Sequence, residues 1–148
     1  MLTTVRDLLK MKGDAIYSVT PDTPILLAMQ MMAKKNIGDL LVLEKGQIKG
    51  IVSERDFVRK TAKAGDCDLQ APVSEMMTQE VITVTPNQTI EFCMQTMTEK
   101  HIRHLPVVEG NEIFGLISIG DVIKGIITSQ EFKIDQLEKY ISGPSYNR

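Results

Sequence analysis

Two serine–aspartate pairs are the side chains best placed by type and spacing to bind a ligand. They lie in the segments Gly50-Ile-Val-Ser-Glu-Arg-Asp56 and Gly115-Leu-Ile-Ser-Ile-Gly-Asp121, where an apolar run typical of a buried strand passes into a helical pattern. A phosphate group suits such a helix N-terminus, because it offers free N–H groups and the positive end of the helix dipole. The aspartate accepts hydrogen bonds and could hold both hydroxyls of a ribose.

The same spacing also describes a helix capping box, so two interpretations stay open. In a capping box the serine is the N-cap and the acidic residue three positions later closes the turn, with no ligand involved. The pattern occurs twice, however, and both copies keep the glycine three residues before the serine. This recurrence favours the ligand interpretation.

Short motifs of the common enzyme and metal-binding classes are missing from the sequence. It contains no GxSxG, CxxC, HExxH, P-loop or GxGxxG pattern. The two histidines, His101 and His104, lack a nearby set of cysteine and carboxylate ligands that would complete a zinc site. We therefore predict a protein that is not an enzyme and that uses no catalytic cofactor and no metal.

Composition and charge exclude further classes of protein. The 148 residues carry a formal net charge of −2, which argues against a nucleic-acid partner held by bulk charge. Three Tyr, four Phe and no Trp are few for a base-stacking surface. No apolar run reaches about 15 residues, so we expect no signal peptide and no membrane span. The isolated Cys67 and Cys93 indicate a reducing compartment, and we expect a cytoplasmic location.

An internal repeat places the two pairs in equivalent positions. Ser18–Arg59 aligns without a gap on Thr83–Lys124, and 16 of the 42 positions are identical. Further upstream, Val5-Arg-Asp-Leu-Leu resembles Val73-Ser-Glu-Met-Met at a slightly larger offset. Because a unit of about 60 residues is marginal alone, the two copies should pack together.

Hydrophobic spacing predicts strand–helix–strand–strand–helix for each copy. The first strands are Ala15–Val19 and Val81–Val84, and the helices that follow end near Asn36 and His101. Apolar runs separated by two-residue turns predict hairpins, and the second helices begin at the two serines. The hairpin strands are Leu40–Leu43 with Gln47–Val52, and Leu105–Val108 with Glu112–Ile117.

The predicted organisation is two repeats, a linker and a tail. The boundaries are 1–65 for the first repeat, 66–72 for the linker, 73–130 for the second repeat and 131–148 for a C-terminal amphipathic helix and tail. Ile134, Leu137 and Ile141 follow helical spacing in that tail. The helix could cover the module or pair across a dimer.

These features resemble a tandem pair of cystathionine-β-synthase (CBS) domains, often called a Bateman module. The resemblance rests on Val19-Thr-Pro21 and Val84-Thr-Pro86, on the Ile37…Leu40-Leu-Val and Ile102-Arg-His-Leu-Pro-Val107 strands and on the two G-x-x-S-x-x-D motifs, and the sequence is in particular similar to small stand-alone bacterial CBS-pair proteins. It implies an α/β (α+β) fold of two pseudo-symmetric β-α-β-β-α repeats packed sheet to sheet. It also implies a non-catalytic sensor of adenosine-containing ligands, which usually dimerises into a disc of four repeats.

The resemblance further implies two clefts, each drawing on both repeats. The aspartate of one repeat holds the ribose, and the strands of the other repeat hold adenine and phosphate. Carried onto this sequence, cleft one uses Ser53, Asp56, Ile82, Ile102, Arg103 and His104, with Arg55 nearby. Cleft two uses Ser118, Asp121, Tyr17, Ile37, Gly38 and Asp39.

Charge distinguishes the two clefts. Arg103 and His104 put positive charge beside cleft one, whereas cleft two has Gly38 and Asp39 at the matching positions. We therefore expect phosphate to prefer cleft one. AMP, ADP, ATP and NAD(H) are the candidate ligands, and an effector protein of unknown identity would receive the signal. The alternative is a constitutive interaction or scaffold protein whose clefts are empty and whose Ser-x-x-Asp motifs are only caps.

Overall fold

The computed structural model describes residues 3–13 and 15–141, which form five helices, five strands and one 3-10 turn. No helix within these residues is long and apolar enough to span a membrane. The elements in chain order are α1 (Val5–Lys12), β1 (Ser18–Val19), α2 (Ile25–Lys35), β2 (Asp39–Glu44), β3 (Gln47–Ser53), α3 (Glu54–Ala64), the 3-10 turn (Val73–Glu75), α4 (Ile90–Lys100), β4 (His104–Glu109), β5 (Glu112–Ser118) and α5 (Ile119–Ile141).

The chain packs as two compact units that do not follow its sequence order. Residues 16–82 form the first, which we call the central unit. The second, the composite unit, joins the described residues up to Ala15 with the chain from Thr83 to Ile141. The repeat boundaries near residues 65 and 73 stay a prediction about the sequence, whereas the packing divides the chain near residues 15 and 82.

The central unit is built on a three-stranded sheet in the order β1-β2-β3. β1 runs parallel to β2, and β2 pairs antiparallel with β3. As predicted, α2 ends at Asn36, whose backbone adopts the left-handed conformation with φ 55°. The strands and helices share one apolar core, formed by Val19, Ile25, Ala28, Met32, Leu40, Val42, Val52, Phe57, Val73 and Met76.

The composite unit repeats this arrangement with one strand fewer. β4 and β5 form an antiparallel hairpin, and α4 ends at the left-handed His101 as predicted. The strand predicted over Val81–Val84 is wrong, because only Val84 pairs, in a single bridge to Val107. In the central unit, Leu41 donates its N–H to the Tyr17 carbonyl at 3.3 Å. Pro106 occupies the position of Leu41 and has no N–H to donate.

The segment at the start of each repeat, which we call its lead segment, packs with the other repeat. The lead segment of the first repeat (residues 3–12) lies in the composite unit, and that of the second (residues 71–78) lies in the central unit. Both lead segments attach through the same pattern of backbone hydrogen bonds. The donors are equivalent residues of the two lead segments, and the acceptors are equivalent residues of the two repeats. The matched N–H to O bonds are Val5 to Gln88 (2.8 Å) with Val73 to Thr23 (2.8 Å), and Arg6 to Pro86 (2.9 Å) with Ser74 to Pro21 (3.1 Å).

The repeated glycines are explained by these lead segments. A Cβ on Gly50 would lie 2.7 Å from the Thr78 carbonyl oxygen and 2.8 Å from the Met77 sulfur. A Cβ on Gly115 would lie 2.7 Å from Leu9 Cδ2. Both glycines therefore serve close packing, and their recurrence is not a sign of a ligand.

Helix α5 differs from the prediction of a separate tail helix. It runs without interruption from Ile119 to Ile141, so the second helix of the repeat and the predicted tail helix are one element of 23 residues. No proline interrupts this stretch, and of its two glycines Gly120 lies in the first turn and Gly125 is buried against Leu8 and Ile90. The stop predicted at Gly143-Pro lies outside the described residues.

Candidate functional site

The first serine–aspartate pair forms a complete capping box at the start of α3. Ser53 donates its N–H to Asp56 Oδ2 at 2.9 Å, and Asp56 returns its N–H to Ser53 Oγ at 3.3 Å. The Ser53 hydroxyl also donates to Asp56 Oδ2 at 3.0 Å. The capping interpretation is thus confirmed for this pair. It leaves the serine and aspartate half-buried at the helix N-terminus.

The second pair repeats this geometry at the start of α5. Ser118 donates its N–H to Asp121 Oδ2 at 2.8 Å, and Asp121 donates its N–H to Ser118 Oγ at 3.1 Å. The two motifs therefore share the same backbone N–H hydrogen bonds, but the residues around their two carboxylates differ.

Lys12, at the end of α1, binds directly to the second motif. Its Nζ lies 2.7 Å from Asp121 Oδ2 and 2.5 Å from the Leu116 carbonyl oxygen. Burial acts to raise the pKa of Asp121, but the hydrogen bonds from Lys12 and Ser118 and the Lys12 charge outweigh it and leave that pKa below its usual value. The carboxylate is therefore ionised and paired at neutral pH.

Sequence reasoning missed Lys12 as a site residue. The only available signal was the likeness between the segment before the first repeat and the segment before the second. Nothing in the sequence showed that this segment packs with the second repeat. The expected charge difference must be revised, because a cation also stands at the aspartate assigned to cleft two.

Within each unit, the start of the first hairpin strand lies beside the serine motif. In the central unit, Asp39 pairs opposite Ser53, and the Gly38 carbonyl accepts the N–H of Glu54 at 3.0 Å. The composite unit matches this arrangement. There, His104 pairs opposite Ser118, and the Arg103 carbonyl accepts the N–H of Ile119 at 2.8 Å.

The remaining predicted site residues divide between the two units. Tyr17 is 38% exposed, and the ammonium of Lys35 lies 5.4 Å from the centre of its ring. Arg103 is exposed, whereas Ile37, Arg55, Ile82 and Ile102 are half-buried. Each predicted cleft draws residues from both units. The grouping into two clefts therefore stays a prediction.

A cavity of about 580 Å³ lies beside Lys12 and Asp121 within the composite unit. Its lining includes two lysines, Lys12 and Lys124, and two carboxylates, Asp121 and Glu131. Its remaining lining residues are Leu8, Met11, Ile127 and Thr128. The cavity is large enough for a small polar group and mixes apolar and charged walls.

Metal and thiol chemistry finds little support in the part of the chain that is described. No group of three His, Cys, Asp or Glu side chains in residues 3–13 and 15–141 is arranged to hold a metal ion. Cys93 is fully buried, and burial together with the nearby Glu91 raises the pKa of its thiol to about 11. This thiol is therefore protonated and unreactive at neutral pH.

The comparison with known families agrees with the paired architecture. The model of the CBS domain matches the chain twice, over residues 5–63 and 73–128. The chain belongs to the CBS domain family. The prediction of a tandem CBS pair and of its mixed helix and strand fold is confirmed, and a CBS pair of this kind is a regulatory module.

Individual relatives show how far the likeness extends. The mitochondrial CBS domain-containing protein CBSX3 of Arabidopsis thaliana is 34% identical over 151 residues, spanning 95% of this chain and 73% of that protein. A solved CBS-domain protein from Burkholderia ambifaria is 44% identical, with a TM-score of 0.81 over 86% of this chain and 96% of that one. The CBS pair of protein MJ0100, solved with methylthioadenosine and S-adenosyl-L-methionine, shares the fold at 21% identity, with a TM-score of 0.75 over 87% of this chain and 99% of that one.

Proposed function

We propose that this CBS pair is a non-catalytic sensor that binds adenosine-containing ligands and signals to an effector protein. The observation that carries the proposal is the recurrence of one geometry, a serine and an aspartate at the N-terminus of a helix, in both units. The helix N-terminus suits phosphate and the carboxylate suits ribose hydroxyls. MJ0100, a protein of the same fold, was solved with two adenosine-containing compounds.

The proposed clefts combine the motif of one repeat with strand residues of the other. Asp56 would hold the ribose in cleft one, with Arg103 and His104 beside the phosphate. Asp121 would hold the ribose in cleft two, where Lys12 supplies the cation. A phosphate group thus has a positive partner in both clefts.

Signalling would follow from contact with both repeats. A ligand shifts the equilibrium between two arrangements of the repeats by the difference in its affinity for them. An effector that binds one arrangement more tightly then responds to ligand concentration. No chemical step is required of the protein.

Release of co-purified small molecules tests the proposal. The protein is denatured and the supernatant is examined by absorbance and mass spectrometry; with no Trp and three Tyr, its own absorbance is low and adenine is easily seen. Calorimetric titration of the stripped protein with AMP, ATP and NAD follows. We expect micromolar binding, weakened roughly tenfold by Asp56→Asn, which removes a charge-assisted hydrogen bond but keeps the side-chain shape. Absence of both released adenine and titrated binding would overturn the proposal.

The scaffold alternative is favoured by one specific observation. Both capping boxes are complete with protein partners alone, so both motifs are accounted for without a ligand. A constitutive scaffold would bind its partner protein equally well with and without AMP. A sensor would change that affinity when the nucleotide is added.

We also propose that a second copy of the chain covers the outer face of α5. Apolar residues recur on this helix at alternating steps of four and three, as in a coiled coil, with one polar residue in the series. The apolar members are between 43% and 65% exposed. The series is Ile123, Ile127, Gln130, Ile134, Leu137 and Ile141.

Charge complementarity favours a parallel pair. Lys133 and Glu138 flank the apolar series five positions apart, so in a parallel dimer each lysine faces the glutamate of the partner copy. In the same register Gln130 meets its own counterpart and can pair with it by hydrogen bonds. The disc of four repeats, which the resemblance implies, is a different assembly and does not form part of this proposal.

Light scattering after size exclusion tests this dimer. Leu137→Glu should convert the dimer to a monomer, whereas Gln136→Glu, on the polar side of the same turn, should not. Lys133→Glu should weaken the dimer and addition of Glu138→Lys should restore it. A wild-type monomer, or a dimer that survives Leu137→Glu, would contradict the proposal.

A further inference from the structure

The ammonium of Lys12 bridges two acceptors of the second motif. It lies 2.7 Å from Asp121 Oδ2 and 2.5 Å from the Leu116 carbonyl oxygen. The Asp121 side chain is only 18% exposed and that of Lys12 is 35% exposed, so the pair is partly shielded from water. A ribose hydroxyl that donates to Oδ2 must compete with this ammonium.

In the central unit, the carbonyl oxygen equivalent to that of Leu116 is hydrogen-bonded without a charged side chain. Ile51, the counterpart of Leu116 in the repeat alignment, has its carbonyl oxygen bound by the backbone N–H of Thr78 at 2.8 Å. The bonds recorded to Asp56 Oδ2 in the described residues come from Ser53 alone. Before a ligand binds, Oδ2 of Asp121 is therefore already paired with an ammonium, whereas Oδ2 of Asp56 is hydrogen-bonded to Ser53.

We propose that Lys12 is a specificity-determining residue, which makes the Asp121 half of the module select adenosine ligands that carry a phosphate. The inference rests on the adenosine-binding function proposed above. When the two hydroxyls of a ribose take both oxygens of Asp121, the Lys12 ammonium loses its bond to Oδ2 and needs another anion. A nucleotide brings one, whereas a neutral nucleoside does not.

The surroundings strengthen this selection. Lys124 lines the same cavity and is exposed to solvent, so its positive charge adds weakly to the cost of an unpaired Lys12. Glu131, also in the lining, is exposed to solvent. An ion pair with an exposed glutamate contributes little, so Glu131 does not replace the phosphate as a partner.

Paired titrations with AMP and adenosine test the inference. They use the full chain carrying Asp56→Asn, so that the Asp121 half dominates binding. With Lys12 present, we expect AMP to bind at least about tenfold more tightly than adenosine, as one charge-assisted hydrogen bond predicts. In Lys12→Met this ratio should fall to near one, chiefly because adenosine binds more tightly. The matched control is Lys10→Met on the same helix, which should leave the ratio unchanged.

The outcomes separate the two proposals. If the wild-type protein binds neither compound, the adenosine-binding function fails and the role of Lys12 fails with it. If it binds both and Lys12→Met leaves the AMP-to-adenosine ratio within twofold, only the role of Lys12 is overturned. Equal weakening of both ligands by Lys12→Met would show a merely structural contact and would also overturn it. Carboxylate NMR of Asp121 should show a raised pKa in the variant, which verifies that the contact was removed.

Discussion

The two units share a lead-segment attachment but complete it with different chemistry. In the central unit, the segment after the 3-10 turn pairs its backbone with β3, and Thr78 and Ile51 exchange two N–H to O bonds. In the composite unit, the side chain of Lys12, at the end of α1, donates a hydrogen bond to the equivalent carbonyl of Leu116. Only the second solution brings a charge to the serine–aspartate motif. The two repeats therefore share one backbone framework but have different electrostatic environments, because their lead segments end in different residues.

The sheets differ for an equally local reason. Leu41 supplies the N–H that binds β1, and Pro106 at the equivalent position cannot. The composite unit therefore retains one bridge at Val84 where the central unit has a short strand.

The largest expected effect is on the two packed glycines. Gly50→Ala should lower the free energy of unfolding by about 3 kcal/mol, because its Cβ meets a backbone carbonyl that cannot move aside. Gly115→Ala should cost about 1 kcal/mol, since the end of the Leu9 side chain can give way. Urea unfolding measures both. Gly38→Ala, whose nearest contact is 3.8 Å away, is the control, and equal losses at Gly50 and Gly115 would contradict the comparison.

Exchange of the strand-controlling residues should have an intermediate effect. Leu41→Pro removes the donor to Tyr17 and should destabilise the central unit by roughly 1–3 kcal/mol. Pro106→Leu should extend the pairing of the composite unit, which hydrogen exchange would detect as protection of the new amide at position 106. If Leu41→Pro left β1 intact, proline would not be the cause of the difference.

The smallest expected effect concerns the pH dependence of the Lys12–Asp121 pair. The folded-state pKa of Asp121 lies below its ordinary value, so the stabilisation is complete above the unfolded-state pKa of roughly 3.9 and is lost as pH falls through the lower folded-state pKa. Lys12→Met should therefore cost about 0.5–1 kcal/mol more at pH 7 than at strongly acidic pH, where only the bond from Lys12 to the Leu116 carbonyl remains to be lost. Chemical denaturation at both pH values measures this, with Lys10→Met as the control. An equal loss at both pH values would show that the ion pair with Asp121 contributes nothing to stability.

Local features of the fold could be predicted because their causes lie close together in the sequence. Ser53 caps a helix through Asp56 three positions away, and Asn36 and His101 end helices by their own backbone conformation. The repeat alignment placed both motifs in equivalent elements. Pro106 shows the limit of this reasoning, since its effect appears at Ile82, the counterpart of Tyr17, on the far side of α4 in the sequence.

The contact of Lys12 with Asp121 could not be predicted for the same reason. The two residues are 109 positions apart, and periodicity carries no information about which repeat a lead segment joins. The recurrence of the glycines was misinterpreted because the sequence does not show that the segments ending at Leu9 and Met77 pack against Gly115 and Gly50. The predicted clefts depend on which residues of the two repeats come together, and no single motif in the sequence specifies this.

The exchanged lead segments also set an order for synthesis. The central unit is complete once residue 82 has emerged, since all of its parts lie between residues 16 and 82. The composite unit needs residues on both sides of the central unit in the sequence, so the lead segment around α1 must wait while the central unit forms. If synthesis paused just beyond the central unit, that unit could be folded while α1 had nothing to pack against. The apolar face of α1, with Val5 and Leu8, would then be exposed to solvent. That interval is when a chaperone would be most useful to this chain.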